Sequence, residues 1–371
     1  ARTNIEFKLI QIWQELLACE SIGVKDNFFK LGGHSLLGVR LLAKIKSVFD
    51  KDISFLFLLE NPTIADLAMK INRAAVLSEY KVWSPLVAIQ PKGDYSPLFC
   101  VHPAGGTVFC YLDLATQLEK KLQPLYGLQA QGLDEHQALL KTTEEMAASY
   151  LQAIRSIQTQ GPYFLLGWSA GGMIAYEIAQ QLYRSGEKVA FLGILDTYAH
   201  SAKNSRMSAL VLDDDIELLA RLYIKEDPYA ELPTDLIKIL KKLKPRQQLP
   251  YIVKQAKILG KLPCDISDIQ AERLVRAFKN DCMLVQKYKP TSYLGKITVF
   301  RPAEALIMEK EKSNDLDWGS LTKQKLEIYE TPGNHFNMLF YPNVKILAAK
   351  IWDCLKKYHL SNEQAAVAIF D

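Results

Sequence analysis

A serine lies between two glycines in the stretch "YFLLGWSAGGMIAYEIA", residues 163–179. Ser169 directly follows an apolar run and precedes a segment with helical periodicity. With Gly167 and Gly171 it forms a Gly-x-Ser-x-Gly pattern, which therefore falls at a strand-to-helix turn. Glycines two positions before and after the serine relieve the crowding of such a sharp turn, which lifts the hydroxyl clear of the sheet. We therefore expect Ser169 to be a nucleophile.

A serine hydroxyl is a weak nucleophile unless a base and an orienting carboxylate assist it, and after such a turn these groups follow in the order Ser, Asp, His. Asp196 ends the next apolar run, "AFLGILD". His335 follows the last apolar run, in the loop "ETPGNHFNML". We predict that His335 is the base and that Asp196 orients its imidazole. The alternatives are His102 as the base and a turn-capping role for Asp196.

The negative charge that develops on an attacked carbonyl oxygen needs two N–H donors. The backbone N–H of Ala170, directly after the serine, is the first candidate. The second should come from the loop "HPAGG", whose glycines let backbone approach a substrate closely. Ala104 is the predicted donor and Gly105 the alternative, because Pro103 has no N–H. The alternative is that this loop is an ordinary glycine-rich turn that donates no N–H to a substrate.

Apolar and helical segments alternate between residues 97 and 196. Strands that are apolar almost throughout and separated by helices predict a mostly parallel sheet with helices on both faces. The alternation stops at Asp196 and resumes at residue 296, and the residues between have helical signals only. We predict that residues 200–288 form a lid over the carboxyl ends of the strands, where open α/β sheets bind ligands.

A second serine follows two glycines in "FFKLGGHSLLGVRLL", residues 28–42. Apolar residues recur at helical spacing before and after Ser35, and a further short helix is predicted after Pro62. These signals predict a small all-helical unit. Residues 77–96 are rich in turn formers, so we expect a linker and the start of the next domain there. By position alone, Ser35 also suits a helix N-cap.

Composition narrows the class of protein. The chain has 371 residues and a net charge of +4, which is close to balance and predicts neither a nucleic-acid nor a membrane partner. Its six cysteines form no C-x-x-C pair, so we expect no metal site. No apolar run is long enough to span a bilayer and no signal pattern opens the chain, which predicts a cytoplasmic protein. Because the chain begins at Ala1 and not at a methionine, we expect a segment of a longer protein.

The motifs "VHPAGG", "GWSAGG", "LGILDT" and "GNHF", in this order, resemble those of the type I thioesterase domains that terminate nonribosomal peptide and polyketide synthases. The stretch "DNFFKLGGHSLL" resembles a peptidyl carrier domain of the same assembly lines. The resemblance implies a small all-α four-helix carrier domain in residues 1–76, an α/β-hydrolase domain with its helical lid in residues 97–360, and a tail in residues 361–371. Asn334 stands where the family usually has an aspartate before the histidine.

The resemblance also implies a function. Ser35 would carry a covalent 4′-phosphopantetheine arm, attached by a phosphopantetheinyl transferase, and upstream condensation and adenylation modules would supply a peptidyl chain. Ser169, Asp196 and His335 would release that chain through an acyl-serine intermediate. A covering lid disfavours water, so we expect macrocyclisation somewhat more than hydrolysis. The alternatives are a freestanding serine esterase or lipase and a carrier module with an inactive hydrolase fold.

Overall fold

The computed structural model describes residues 3–33, 35–51, 53, 57–58, 61–73, 84–132, 138–199, 215–224, 231–259, 268–304 and 315–367. The chain divides into two compact units, one of residues 1–83 and 212–272 and the other of residues 84–211 and 273–371. Several predicted features lie wholly or partly outside the described residues: linker residues 77–83, residues 200–214, 225–230 and 260–267 of the predicted lid, and tail residues 368–371.

The amino-terminal part of the first unit contains the helices α1 (Asn4–Leu17), α2 (Ser35–Phe49) and α3 (Ile64–Arg73), and residues 57–58 are also helical. Helix α1 begins with a capping box, in which Thr3 and Glu6 satisfy each other's backbone N–H groups. Trp13 and Phe28 pack edge to face at 5.0 Å in the centre of the core. The small all-helical unit predicted from the sequence is confirmed.

The described part of the predicted lid segment consists mainly of helices. It contains α7 (Asp215–Ile224), α8 (Thr234–Lys242), α9 (Pro245–Ile258) and α10 (Asp268–Lys287), and α7 packs against α9. The first three helices belong to the first unit, and α10 continues from the first unit into the second. The covering role of this segment stays a prediction.

The second unit is built on a sheet of seven strands in the order β1-β3-β2-β4-β5-β6-β7. The strands are β1 (Leu86–Gln90), β2 (Leu98–Val101), β3 (Leu125–Leu128), β4 (Tyr163–Trp168), β5 (Val189–Leu195), β6 (Thr298–Pro302) and β7 (Glu327–Thr331). Among the described strands, only β1 runs antiparallel to its neighbour. The mostly parallel sheet is confirmed, and β1 is an addition that the sequence pattern did not predict.

In the second unit, α4 (Leu112–Glu119) packs against α11 (Val344–Val367), and α5 (Thr143–Arg155) packs against α6 (Ala170–Arg184). Helix α6 is buried along most of its length, because it packs on β2, β4 and β5. Among the described residues, no helix is both long enough and apolar enough to cross a membrane.

The parallel strands bring the predicted functional residues to one edge of the sheet. The "HPAGG" loop follows β2, Ser169 follows β4 and Asp196 follows β5. His335 lies in the loop after β7, at the same carboxyl edge. This edge is where open α/β sheets place their ligand sites.

Candidate active site

Ser169 occupies a strained turn between β4 and α6. Its backbone has φ 56° and ψ −125°, a conformation that residues with a side chain rarely adopt. Its N–H donates a hydrogen bond of 3.1 Å to the carbonyl oxygen of Leu195, which ties the turn to β5. Such strain persists only where surrounding structure enforces it, and it is typical of functional sites.

The glycines of this turn are required by close backbone packing. A Cβ on Gly167 would lie 2.1 Å from the carbonyl oxygen of Gly171. A Cβ on Gly171 would lie 2.5 Å from the carbonyl oxygen of His102, in the loop after β2. Both contacts are to backbone atoms, which cannot move aside as a flexible side chain can. The turn therefore brings the serine and the "HPAGG" loop together.

Asp196 and His335 form the pair predicted from the sequence. His335 Nδ1 lies 2.8 Å from Asp196 Oδ2, and the aspartate is held by its own N–H, which donates to the carbonyl oxygen of Phe300 at 2.9 Å. Because the carboxylate accepts from Nδ1–H, the other imidazole nitrogen, Nε2, is left as a proton acceptor.

The imidazole of His335 also packs against the ring of Trp168, with the ring centroids 5.4 Å apart. Trp168 is the residue next to Ser169, so the base candidate lies beside the nucleophile candidate. Among the described contacts there is no hydrogen bond between His335 and the Ser169 hydroxyl. Such bonds are often long before a substrate binds, so the geometry is compatible with the predicted roles.

Asn334 organises the loop that holds His335. Its Oδ1 accepts from the N–H of Phe336 at 3.0 Å, as an aspartate oxygen also could. Its Nδ2 donates to Glu304 Oε2 at 3.0 Å, which an aspartate could not do. The departure from the family's usual residue therefore has a structural role of its own.

The two candidates for the second N–H donor differ in what they already bind. The Gly105 N–H donates to Asp281 Oδ2 at 3.0 Å. No described residue accepts a hydrogen bond from the N–H of Ala104. Ala170 is the first residue of α6, and the first N–H groups of a helix have no partner within it. This pattern favours Ala104 and Ala170 over Gly105.

His102, the alternative base, is fully buried and both of its ring nitrogens are engaged. Nδ1 lies 2.7 Å from the carbonyl oxygen of Pro103, and Nε2 lies 2.6 Å from the hydroxyl of Tyr150. Burial lowers the pKa of His102 to about 4. Its contacts are those of a structural histidine, which argues against the alternative.

We expect His102 to make the folded protein sensitive to acid. Its pKa of about 4 lies below the ordinary value of 6.5, so its contribution to stability is present above pH 6.5 and is lost as the pH falls towards 4. A shift of this size corresponds to about 3 kcal/mol of unfolding free energy. Denaturant unfolding at pH 7 and pH 4 should show a smaller loss in His102→Gln than in the unaltered protein. Equal losses in the two proteins would contradict this assignment.

Two residues that the sequence analysis did not single out brace the site. The Thr197 hydroxyl donates to the carbonyl oxygen of Ser169 at 2.7 Å. The Tyr111 hydroxyl donates to the carbonyl oxygen of Val101 at 2.6 Å and accepts from the N–H of Trp168 at 3.1 Å, so it joins the ends of β2 and β4. Thr197 follows Asp196 in the quoted motif, but no local pattern marks Tyr111.

The second predicted site, Ser35, is the first residue of α2. Gly32, three residues before it, has φ 98°, and a Cβ added there would meet no atom within 4 Å. A helix N-terminus suits a phosphate, because its first N–H groups have no partner within the helix and the helix dipole favours negative charge. The backbone at Ser35 therefore fits a phosphopantetheine attachment site.

Comparisons with known proteins agree with this layout. The family model of the phosphopantetheine attachment site matches residues 8–70, and that of the thioesterase domain matches residues 96–354. A dimodular nonribosomal peptide synthase of Bacillus subtilis (strain 168) is 35% identical over 306 residues. The match covers 81% of this chain and 12% of the synthase, so the chain spans a small part of that relative's length.

Solved structures show similar architecture. A four-domain nonribosomal peptide synthetase, AB3403, matches with a TM-score of 0.64 and 30% identity, over 94% of this chain and 26% of that one. The NocB thioesterase domain has the same fold, with a TM-score of 0.51 and 22% identity, over 73% of this chain and 100% of that one. The chain therefore belongs to the thioesterase domain family, as a carrier–thioesterase didomain of the nonribosomal peptide synthetase type.

Proposed function

We propose that this chain terminates nonribosomal peptide synthesis by releasing a peptidyl thioester through an acyl ester on Ser169. The proposal is carried by one observation, the hydrogen-bonded pair of Asp196 and His335 beside the strained turn that holds the serine. A carrier domain precedes the thioesterase domain in the same chain, which supports a thioester substrate over a simple ester.

The chemistry follows from the orientation of the imidazole. Asp196 holds the Nδ1–H of His335, so Nε2 takes the proton from the Ser169 hydroxyl as its oxygen attacks the thioester carbonyl. The N–H groups of Ala170 and Ala104 stabilise the oxyanion that forms. The imidazolium then returns the proton to the departing sulfur, and the acyl group stays on the serine. In a second cycle of the same kind, water or an internal amine or hydroxyl of the peptide releases it.

The carrier domain, which we place in residues 1–76, holds the substrate. Ser35 is the proposed attachment point of 4′-phosphopantetheine, which supplies a flexible thiol to which the peptide is bound as a thioester. A phosphopantetheinyl transferase would modify this serine, and condensation and adenylation modules upstream would deliver the peptide. The reaction proposed at Ser169 uses only residues of the thioesterase domain, in residues 97–360.

We further propose macrocyclisation as the favoured mode of release. The helices of the lid segment have strong apolar faces, and a lid over the acyl-enzyme would disfavour water and favour a nucleophile within the bound chain. Hydrolysis remains the competing outcome of the same acyl-enzyme.

The proposal is tested with soluble peptidyl thioesters that either contain or lack an internal amine. We expect cyclic product from the first set and linear acid from the second, as weighed by mass spectrometry. Linear acid alone, across several chain lengths, would refute cyclisation and leave thioester release standing. A matched set of oxoesters tests the esterase alternative, which predicts equal or faster turnover of oxoesters. No turnover and no reaction of Ser169 with a fluorophosphonate would indicate an inactive hydrolase fold.

A further inference from the structure

Ala104 lies between two peptide groups that are both held in place. The first links it to Pro103, whose carbonyl oxygen accepts from His102 Nδ1 at 2.7 Å and from the N–H of Gly106 at 3.2 Å. In a trans peptide the C=O and N–H bonds point in opposite directions. The bonds to the Pro103 oxygen therefore fix the direction of the Ala104 N–H.

The second peptide group links Ala104 to Gly105. Its N–H donates to Asp281 Oδ2 at 3.0 Å, a contact between residues 176 positions apart in the sequence. Gly105 has φ 98°, a conformation open to glycine and rarely adopted by other residues, so this peptide would readily take other orientations without an external partner. Asp281 on α10 supplies that partner.

Asp281 is an unusual residue to find in this position. It is 1% exposed, and its second oxygen, Oδ1, has no hydrogen-bond partner among the described residues. The ionisable groups facing it are His102, whose Nδ1 lies 3.8 Å away, together with Tyr150 and Cys282. Burying a carboxyl group with an unsatisfied oxygen costs stability, and this cost needs a compensating role.

The buried environment of Asp281 suits a place behind an oxyanion. Burial raises the pKa of the carboxyl well above its ordinary value, which favours the neutral acid. A neutral carboxyl group still accepts the Gly105 N–H, but it adds no negative charge behind the site. An ionised carboxylate there would oppose the charge that develops on the substrate.

We propose that Asp281 is a positioning residue of the oxyanion hole, which acts with His102 to fix the peptide groups on both sides of Ala104 and so presents the Ala104 N–H to the substrate. This inference rests on the proposed thioesterase function. It gives helix α10 a role in the release of the peptide, through Asp281, that does not depend on whether the helix covers the active site.

Asp281→Leu removes the acceptor and keeps the branched, four-atom shape of the side chain, and Asp281→Asn keeps an acceptor oxygen. Because a small misplacement of a catalytic group can cost about 100-fold in rate, we expect Asp281→Leu to lower kcat by about 10- to 100-fold. We expect KM to change less than about threefold, since the Ala104 N–H that Asp281 positions stabilises a charge that develops only in the transition state. Asp281→Asn should keep kcat within about threefold.

The matched control is Asn280→Ala on the same helix, which loses a hydrogen bond to the carbonyl oxygen of Leu140 and should keep its activity.

A second measurement separates positioning from a general loss of structure. A peptidyl trifluoromethyl ketone forms a tetrahedral adduct on a nucleophilic serine, so its affinity should fall with kcat in Asp281→Leu and recover in Asp281→Asn. If Asp281→Leu does not fold, Asp281→Val replaces it as a smaller side chain without an acceptor. Unchanged kcat and inhibitor affinity in the folded variant would overturn the inference. An unaltered protein that neither reacts at Ser169 nor turns over thioesters would instead overturn the proposed function.

Discussion

Replacing either Ser169 or His335 with alanine is expected to lower kcat/KM for a soluble peptidyl thioester by about 10⁴-fold or more. The hydroxyl attacks only as the imidazole removes its proton, so the two residues act as a unit and the double variant should be no slower than either single one. Steady-state release of the thiol measures all three variants.

The matched control for the serine is Ser185→Ala, at the carboxyl end of the same helix, where the hydroxyl donates to the carbonyl oxygen of Gln181. We expect this variant to keep full activity. Substantial turnover in His335→Ala would mean that another group is the base. A double variant much slower than the singles would mean that the two residues act independently.

Ser35→Ala should abolish attachment of phosphopantetheine while leaving turnover of soluble thioesters nearly unchanged. The hydroxyl is the proposed point of attachment, whereas the chemistry of release is proposed to reside in the thioesterase domain. Intact-mass measurement after incubation with coenzyme A and a phosphopantetheinyl transferase should show one added arm on the unaltered protein and none on the variant.

Ser47→Ala provides the control on the same helix, because Ser47 is an exposed serine of α2. It should gain one arm, as the unaltered protein does. Gain of an arm by Ser35→Ala would place the attachment elsewhere. Loss of soluble thioester turnover in that variant would contradict the division of roles between the domains.

The sequence was enough to predict the parallel sheet and the pairing of Asp196 with His335. Asp196 directly follows an apolar run and His335 lies in the loop after the last one, and the carboxyl ends of parallel strands meet at one edge. Local pattern and sheet geometry together therefore determine which side chains converge. The glycines around Ser169 are informative for the same reason, since a sharp strand-to-helix turn leaves no room for a Cβ.

Other features depend on contacts that no local pattern records. Strand β1 is short and only partly buried, and it lies at the edge of the sheet. Its few apolar residues stand in a stretch rich in turn formers, which favoured a linker over a strand. Asp281 is a polar residue of an amphipathic helix. The sequence of that helix does not show whether the Asp281 side chain is buried or faces solvent. Its partner Gly105 is far away in the chain, so only the folded structure shows the pair.

Detection of the acyl-enzyme tests the proposed role of Ser169 most directly. Protein without the phosphopantetheine arm would be mixed with a soluble peptidyl thioester, quenched at successive times, and analysed by intact mass and peptide mapping. An acyl ester on Ser169 would give a transient mass increase equal to the acyl group, located on the peptide that contains Ser169 and absent from Ser169→Ala. Turnover with no adduct at Ser169, or an adduct on another residue that persists in Ser169→Ala, would contradict it.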